Sequence, residues 1–178
     1  MRNIEFIIGI LGMLAPLMCI FIAIILSPWF NIFENALSDL GHATRSVVAP
    51  LFNLGLSLGG FIIGMHAVRY VFPRARIIGL GLVATGYSLI LVALFDEVYG
   101  TLHFIVSVVL FISLAIMLLL FTIHERSLWP LLCLIIGIIA WAMHFVMEIP
   151  RGAAIPELVS ILMVMPWYIK LLIELKAS

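Results

Sequence analysis

Charge is what this chain has least of. Nine basic and nine acidic residues are spread over 178 positions, a tenth of the chain, where a soluble domain carries about a quarter. No basic stripe or aromatic-interleaved basic patch exists, which argues against nucleic acid as a partner. Cysteine is equally scarce. Cys19 and Cys133 each sit inside an apolar run, which excludes a disulfide framework and a cysteine-based metal cage and leaves two small packing residues. Repeats and low-complexity tracts are absent. The first apolar run, Ile4 to Leu26, is followed by no Ala-x-Ala cleavage site and is too long for a signal h-region, so it is expected to be a membrane span. What fills the chain is hydrocarbon: 65% of residues are hydrophobic and mean hydropathy is +1.32. One globular core cannot hide that much apolar surface, and the expected class is integral membrane protein.

A helix needs about 20 mainly apolar residues to cross the hydrocarbon. Such runs lie at about 4–26, 47–70, 77–95, 102–123, 129–148 and 157–175. The breaks between them carry proline, glycine and charge, as in "FPRAR", "DEVYGT" and "EIPRGAAIPE". The expected fold is all-α: a single domain over 1–178 forming a six-helix membrane bundle. Orientation follows from the basic residues. With both termini cytoplasmic, Arg2, Arg69, Arg74, Arg76, Arg126, Lys170 and Lys176 fall inside, and Arg45 and Arg151 outside. That is seven against two, a positive-inside bias. The expected location is the cell membrane. Trp29, Tyr70, Tyr99, Trp129, Trp141, Trp167 and Tyr168 are placed for an interfacial aromatic belt.

On this topology the scarce polar chemistry collects on the outer side. The longest connection, 27–46, contains "FENALSDLGHATR", Phe33 to Arg45, and is expected to be structured. Asp39 and His42 are three apart, and His144 and Glu148 four apart, spacings that share a helix face. Asp96 and His103 flank the turn between spans 3 and 4. Three hairpins thus deliver a carboxylate and an imidazole to one leaflet. If the loop is a short helix, Ser38 would cap it, Gly41 would permit a sharp turn, and Asp39 would point toward His103 or Arg45. Asn53 in span 2 would hydrogen-bond across to Asp39, making the loop a lid. Asn35, Asp39, Arg45 and Asn53 are the candidate ligand-binding residues. Glu34, Glu97, Glu157 and Arg151 are expected to be solvated caps, and His66 and His124 interfacial.

Two chemistries fit. His42, His103, His144 and Asp96 are the candidate ligands of a divalent metal, with zinc the candidate cofactor. Glu148 would then be a general base and Ser38 a further catalytic group, acting on a lipid ester or amide at headgroup level. Spacing does not press the point, because no His-x-x-x-His or His-Glu-x-x-His occurs. Without metal, the same residues tie the loop to the bundle and hold a polar lipid head. In span 2, Gly55-x-x-x-Gly59 and Gly60-x-x-x-Gly64 have the spacing that lets helix backbones approach, either within the bundle or in a homo-oligomer.

"ENALSDLG", Glu34 to Gly41, followed by "FNLGLSLGG", Phe52 to Gly60, and by "LFDEVYGTLH", Leu94 to His103, resembles a family of small, largely archaeal multi-pass proteins known as domain of unknown function nine-nine-eight. Asn35, Ser38, Asp39, Gly41, Asn53 and His103 carry the likeness, which spans 1 to 4 support directly and spans 5 and 6 by hydropathy alone. Where relatives have proline-acid this chain has Asp96-Glu97. The family is more distantly similar to the Frag/DRAM/Sfk-like membrane proteins, some of them tied to lipid remodelling or autophagy. The resemblance implies a topology and no reaction. A weaker likeness is to membrane hydrolases of the alkaline-ceramidase and adiponectin-receptor type, which hold zinc with histidines, an aspartate and a serine. Ser38, Asp96 or Asp39, His42, His103 and His144 match that inventory, but the seventh span and the His-x-x-x-His are missing.

The reading that results is a membrane protein with an outward-facing polar pocket, lipid-interacting or structural, whose partners are membrane lipids. A metal-dependent lipid hydrolase is the alternative. A small-solute transporter ranks third, since spans 1 and 6 carry no midplane charge and no inverted repeat is visible.

Overall fold

A computed structural model of the full chain describes residues 2–177. Six helices account for most of them: α1 (Arg2–Ile25), α2 (Ala49–His66), α3 (Arg76–Leu94), α4 (Thr101–Glu125), α5 (Trp129–Met147) and α6 (Ala154–Ala177). Each is long and apolar enough to cross a membrane, and no strand occurs among the described residues. All six expected spans are present. Their ends differ by a few residues for simple reasons. Pro156 reads as a breaker, yet proline is tolerated in a helix's first turn, so α6 starts at Ala154. Beyond His66, α2 continues as a π-helical turn, Ala67–Val71. Two short 3-10 turns, Leu37–Gly41 and Glu97–Tyr99, occupy the connections α1–α2 and α3–α4.

Neighbours in sequence are neighbours in space, and α6 returns to pack on both α1 and α4. Five helices therefore close a ring, with α5 outside it against α4 and α6. Only Pro130 and Gly137 of α5 are buried, Cys133 and Leu134 pack partly against the core, and much of the remaining apolar surface is exposed.

Backbone approach in the ring depends on glycine. A Cβ on Gly55 would stand 2.3 Å from Cys19 Cβ, and one on Gly59 2.5 Å from Pro16 Cδ, which seats α2 on α1. A Cβ on Gly60 would stand 2.3 Å from the Gly86 carbonyl oxygen, which seats α2 on α3. These three glycines pack within the chain, and the Cβ position of Gly64 is open.

The core has two centres. One gathers Leu82, Met117, Phe121, Leu171 and Leu172; the other gathers Leu40, Phe52, Leu56, Val92 and Leu110, nearer the long loop. An apolar cavity of about 140 Å³ lies between them on the bundle axis.

The two ends of the bundle treat charge differently. At the end away from the long loop, Glu5 meets Arg74 at 3.4 Å, and Lys170 pairs with Glu125 and, at 3.7 Å, with Glu174. Two expectations fail here. His66 is not interfacial: it is 1% exposed, beneath the Gly9 backbone of α1. Tyr168 is not in the aromatic belt either. It is buried, and its hydroxyl donates to the Gly9 carbonyl at 3.3 Å. Both lie on faces turned into the ring.

Candidate functional site

The long loop is held in place by its own amides and carboxylates. Asn31 Oδ1 accepts from the Phe33 amide, and Asn35 Oδ1 from the Asn31 amide. Asn35 Nδ2 donates to Asp39 Oδ2 at 3.0 Å, and the same oxygen accepts the Ala36 amide at 2.9 Å. Asp39 thus closes the first turn of the 37–41 segment, a task expected of Ser38, and does not reach toward His103. Asn53 Nδ2 donates to the Gly41 carbonyl at 2.9 Å and not to Asp39 as expected, so α2 pins the loop through its backbone. Gly41 is needed for space: a Cβ there would meet Asn53 Oδ1 and Phe52 Cδ1, both at 2.7 Å.

A second strap comes from the α5–α6 connection. The Gly152 amide donates to the Phe33 carbonyl at 2.9 Å, and the Ala154 amide to the Asn35 carbonyl at 3.0 Å. This brings the start of α6 under the loop, where Glu157 Oε2 accepts the Leu37 amide at 2.6 Å. On the other side Ser38 Oγ donates to Glu97 Oε1 at 2.8 Å. Glu97 and Glu157 are therefore not solvated caps. Glu157 is 7% exposed and Glu97 is half-buried, because the loop folds over both. Glu34 and Arg151 are exposed, in keeping with caps.

Three carboxyls, Asp39, Glu97 and Glu157, thus share one small region, and Glu157 feels the charges of the other two. Burial pushes the Glu97 carboxyl from its ordinary 4.5 up to about 7. The Ser38 hydrogen bond opposes that rise, Asp39 adds to it through hydrogen bonding and charge, and Arg45 opposes it.

Glu97 and Glu157 stand at the polar end of a cleft of about 1070 Å³ between α4 and the α5–α6 hairpin. Ser38, His42, Arg45, Glu97, His103 and Glu157 line that end. Further along, the walls are apolar, with Phe111, Ile138, Trp141 and Phe145 prominent. Trp141 is fixed by its indole N–H, which donates to Ser160 Oγ at 3.0 Å, and by stacking on Phe145. Ser38, Ser107 and Glu157 border both this cleft and the axial cavity.

His42, His103 and His144 all border the cleft, but the four candidate metal ligands do not converge on one point. His103 Nδ1 lies 2.7 Å from the Phe95 carbonyl and His144 Nδ1 2.9 Å from the Pro150 carbonyl. A carbonyl only accepts, so each imidazole carries its proton on Nδ1. His42 Nδ1 contacts Thr44 Oγ1 at 3.3 Å, and Asp96 Oδ1 caps the 97–99 turn through the Val98 amide. Each group is turned to a local partner. Among the described residues, the group whose ligating atoms converge within 4.8 Å is His124, Glu125 and Glu174 at the other end, where Lys170 already neutralises both acids. Glu148 ends α5 in the left-handed region (φ 54°), exposed and away from the cleft lining.

None of the curated proteins and none of the solved structures matches the chain significantly. A family model does, over residues 10–174, so the likeness read in spans 1 to 4 extends through α6. The match covers nearly the whole chain, reaching from within α1 to within α6 and taking in every residue of the cleft's polar end, and the protein belongs to the DUF998 family of proteins of unknown function.

Proposed function

We propose that this protein binds a membrane lipid in the cleft between α4 and the α5–α6 hairpin, headgroup at the polar end. The loop end faces outward and both termini are cytoplasmic, as the basic residues argue, with the cell membrane as the site of action. One observation carries the reading: a single cleft joins a hydrogen-bonding end to an aromatic and aliphatic trough. A soluble metabolite has no use for the trough, and a pure hydrocarbon none for Ser38, Arg45 and the carboxyls. Ligand sites are in general mostly apolar with a few placed polar groups. The helix bordering the cleft, α5, is also the one least engaged by the bundle, so a lipid can enter between α4 and α5 from the side.

Gly137 supplies the test. It is a buried cleft residue on α5, and no atom lies within 4 Å of its Cβ position. Gly137→Leu therefore directs its side chain into the trough from an open Cβ position and improves helix propensity. Protein reconstituted in nanodiscs containing a photoreactive phospholipid should cross-link to α4 and α5 peptides, and Gly137→Leu should lower that yield at least tenfold. An unchanged yield would refute lipid binding here.

A further inference from the structure

Ser38 and Glu97 are 59 residues apart in sequence, on two different short turns, yet they share a 2.8 Å hydrogen bond. Ser38 is 9% exposed, and what it faces is cavity, since it borders both the cleft and the axial void. Glu97 stands on the cleft wall beside Asp39. A hydroxyl hydrogen-bonded to a carboxylate that can take its proton is an arrangement by which a serine is made nucleophilic. The other hydroxyl–base contact in the cleft is looser: Ser107 Oγ lies 3.3 Å from His103 Nε2, one turn away on the same helix.

We propose that Ser38 is the nucleophile and Glu97 the general base of an acyl-transfer site acting on the carboxylic ester of a lipid held in the cleft. This rests on the lipid-binding reading above. Ser38 Oγ adds to the ester carbonyl carbon while its proton passes to the Glu97 carboxylate. The tetrahedral adduct expels the alcohol, which leaves with that proton, and an acyl-Ser38 ester remains. Water, giving a proton to the same carboxylate, attacks this ester. The fatty acid departs and Ser38 recovers the proton. The Arg45 guanidinium on the cleft wall is the positive charge available to the oxyanion. A poised base gains the most where its affinity for protons is near neutral, and burial puts Glu97 there.

The test uses full-length protein in nanodiscs and a long-chain alkyl fluorophosphonate, which phosphonylates activated serines. Peptide mass spectrometry should find the adduct on Ser38, none in Ser38→Ala, and a rate at least 100-fold lower in Glu97→Gln, in the range a general base contributes. Cross-linking of the photoreactive phospholipid is measured on the unmodified protein in the same nanodiscs, and thermal unfolding of both variants shows that they are folded. An adduct missing from Ser38 while lipid still cross-links overturns this proposal alone. So does an adduct on Ser107, or undiminished labelling in Glu97→Gln. Loss of lipid cross-linking from the unmodified protein overturns the lipid-binding reading and this proposal with it.

Discussion

Gly152 is where the architecture of the loop end is most exposed to a single atom. An ideal Cβ at this position would lie 2.3 Å from the Asn35 carbonyl oxygen and 2.4 Å from both Asn35 N and Glu34 C. All three are backbone atoms, so no side chain can swing aside. Gly152→Ala must push the strap off the loop and stretch the bonds Gly152 N to Phe33 O and Ala154 N to Asn35 O. Each bond contributes about 0.5–1.5 kcal/mol net, and overpacking of this kind costs about 1–3 kcal/mol. The strap should therefore weaken by about 3 kcal/mol. At about 1.4 kcal/mol per tenfold, that is roughly a 100-fold rise in local opening. Amide exchange followed by mass spectrometry should show it at residues 33–41, including the Leu37 amide held by Glu157, and leave the α2–α3 peptides unchanged. Protection of 33–41 within threefold of the unmodified protein would mean that the strap does not hold the loop, and that the placing of Glu157 needs another explanation.

Three further outcomes follow from the same geometry. Gly60→Ala drives a methyl into the Gly86 carbonyl and should destabilise by about 1–3 kcal/mol. Gly64→Ala meets open space and should be neutral or stabilising by a few tenths to about 1 kcal/mol; thermal unfolding in a fixed lipid composition separates them, and equal losses would discredit the α2–α3 interface. Glu97 binds its proton more tightly when folded than unfolded, so its contribution to stability falls as pH rises from about 4.5 through about 7. The groups facing it are Ser38, Asp39 and Arg45, with Glu157 nearby, and Glu97→Gln should flatten that part of the unfolding profile; a profile left unchanged contradicts the burial of this carboxyl. Thr44→Cys, at the exposed loop end, should react with a membrane-impermeant maleimide in intact cells, and Ser127→Cys only after lysis; the reverse pattern inverts the orientation.

The helices were legible because a membrane demands about 20 apolar residues in a row, and the chain supplies six such runs with little else. The loop was legible because polar residues in so apolar a sequence must gather for a reason. Its internal logic was readable in part. Asn53 clamps the loop, but at the Gly41 carbonyl, and Asp39 serves the loop's own backbone. Glu97 and Glu157 read as solvated caps because an acid at a helix start is commonplace: water and the helix dipole both favour it. Only tertiary structure, a contact across 120 residues in the case of Leu37 and Glu157, takes that water away. Gly152 gave no signal, since its need is steric and its φ is not left-handed. His66 and Tyr168 sit near span ends where hydropathy cannot tell a face turned inward from one turned outward. The cleft was invisible for a related reason. It exists because α5 packs outside the ring, and an apolar helix reads the same whether it faces lipid or protein.

The contrast between the two ends of the bundle argues for work at the loop end. Among the described residues, every carboxylate with a cation or imidazole within 4.0 Å is at the far end, on Glu5, Glu125 or Glu174. That is how a membrane protein settles charges that only shape its surface. At the loop end, Asp39, Glu97 and Glu157 have no cation so close, although Arg45 is near enough to act on Glu97. Instead they take backbone amides, a carboxamide and the Ser38 hydroxyl. Burying like charges in that fashion is costly unless protons are shared or something else is brought in. A bundle under no demand but stability would have placed Arg45 among them or replaced Glu157 with leucine. Keeping three acids beside a lipid-sized cleft, with one of them hydrogen-bonded to a serine, makes physical sense if the site exchanges protons with what the cleft holds.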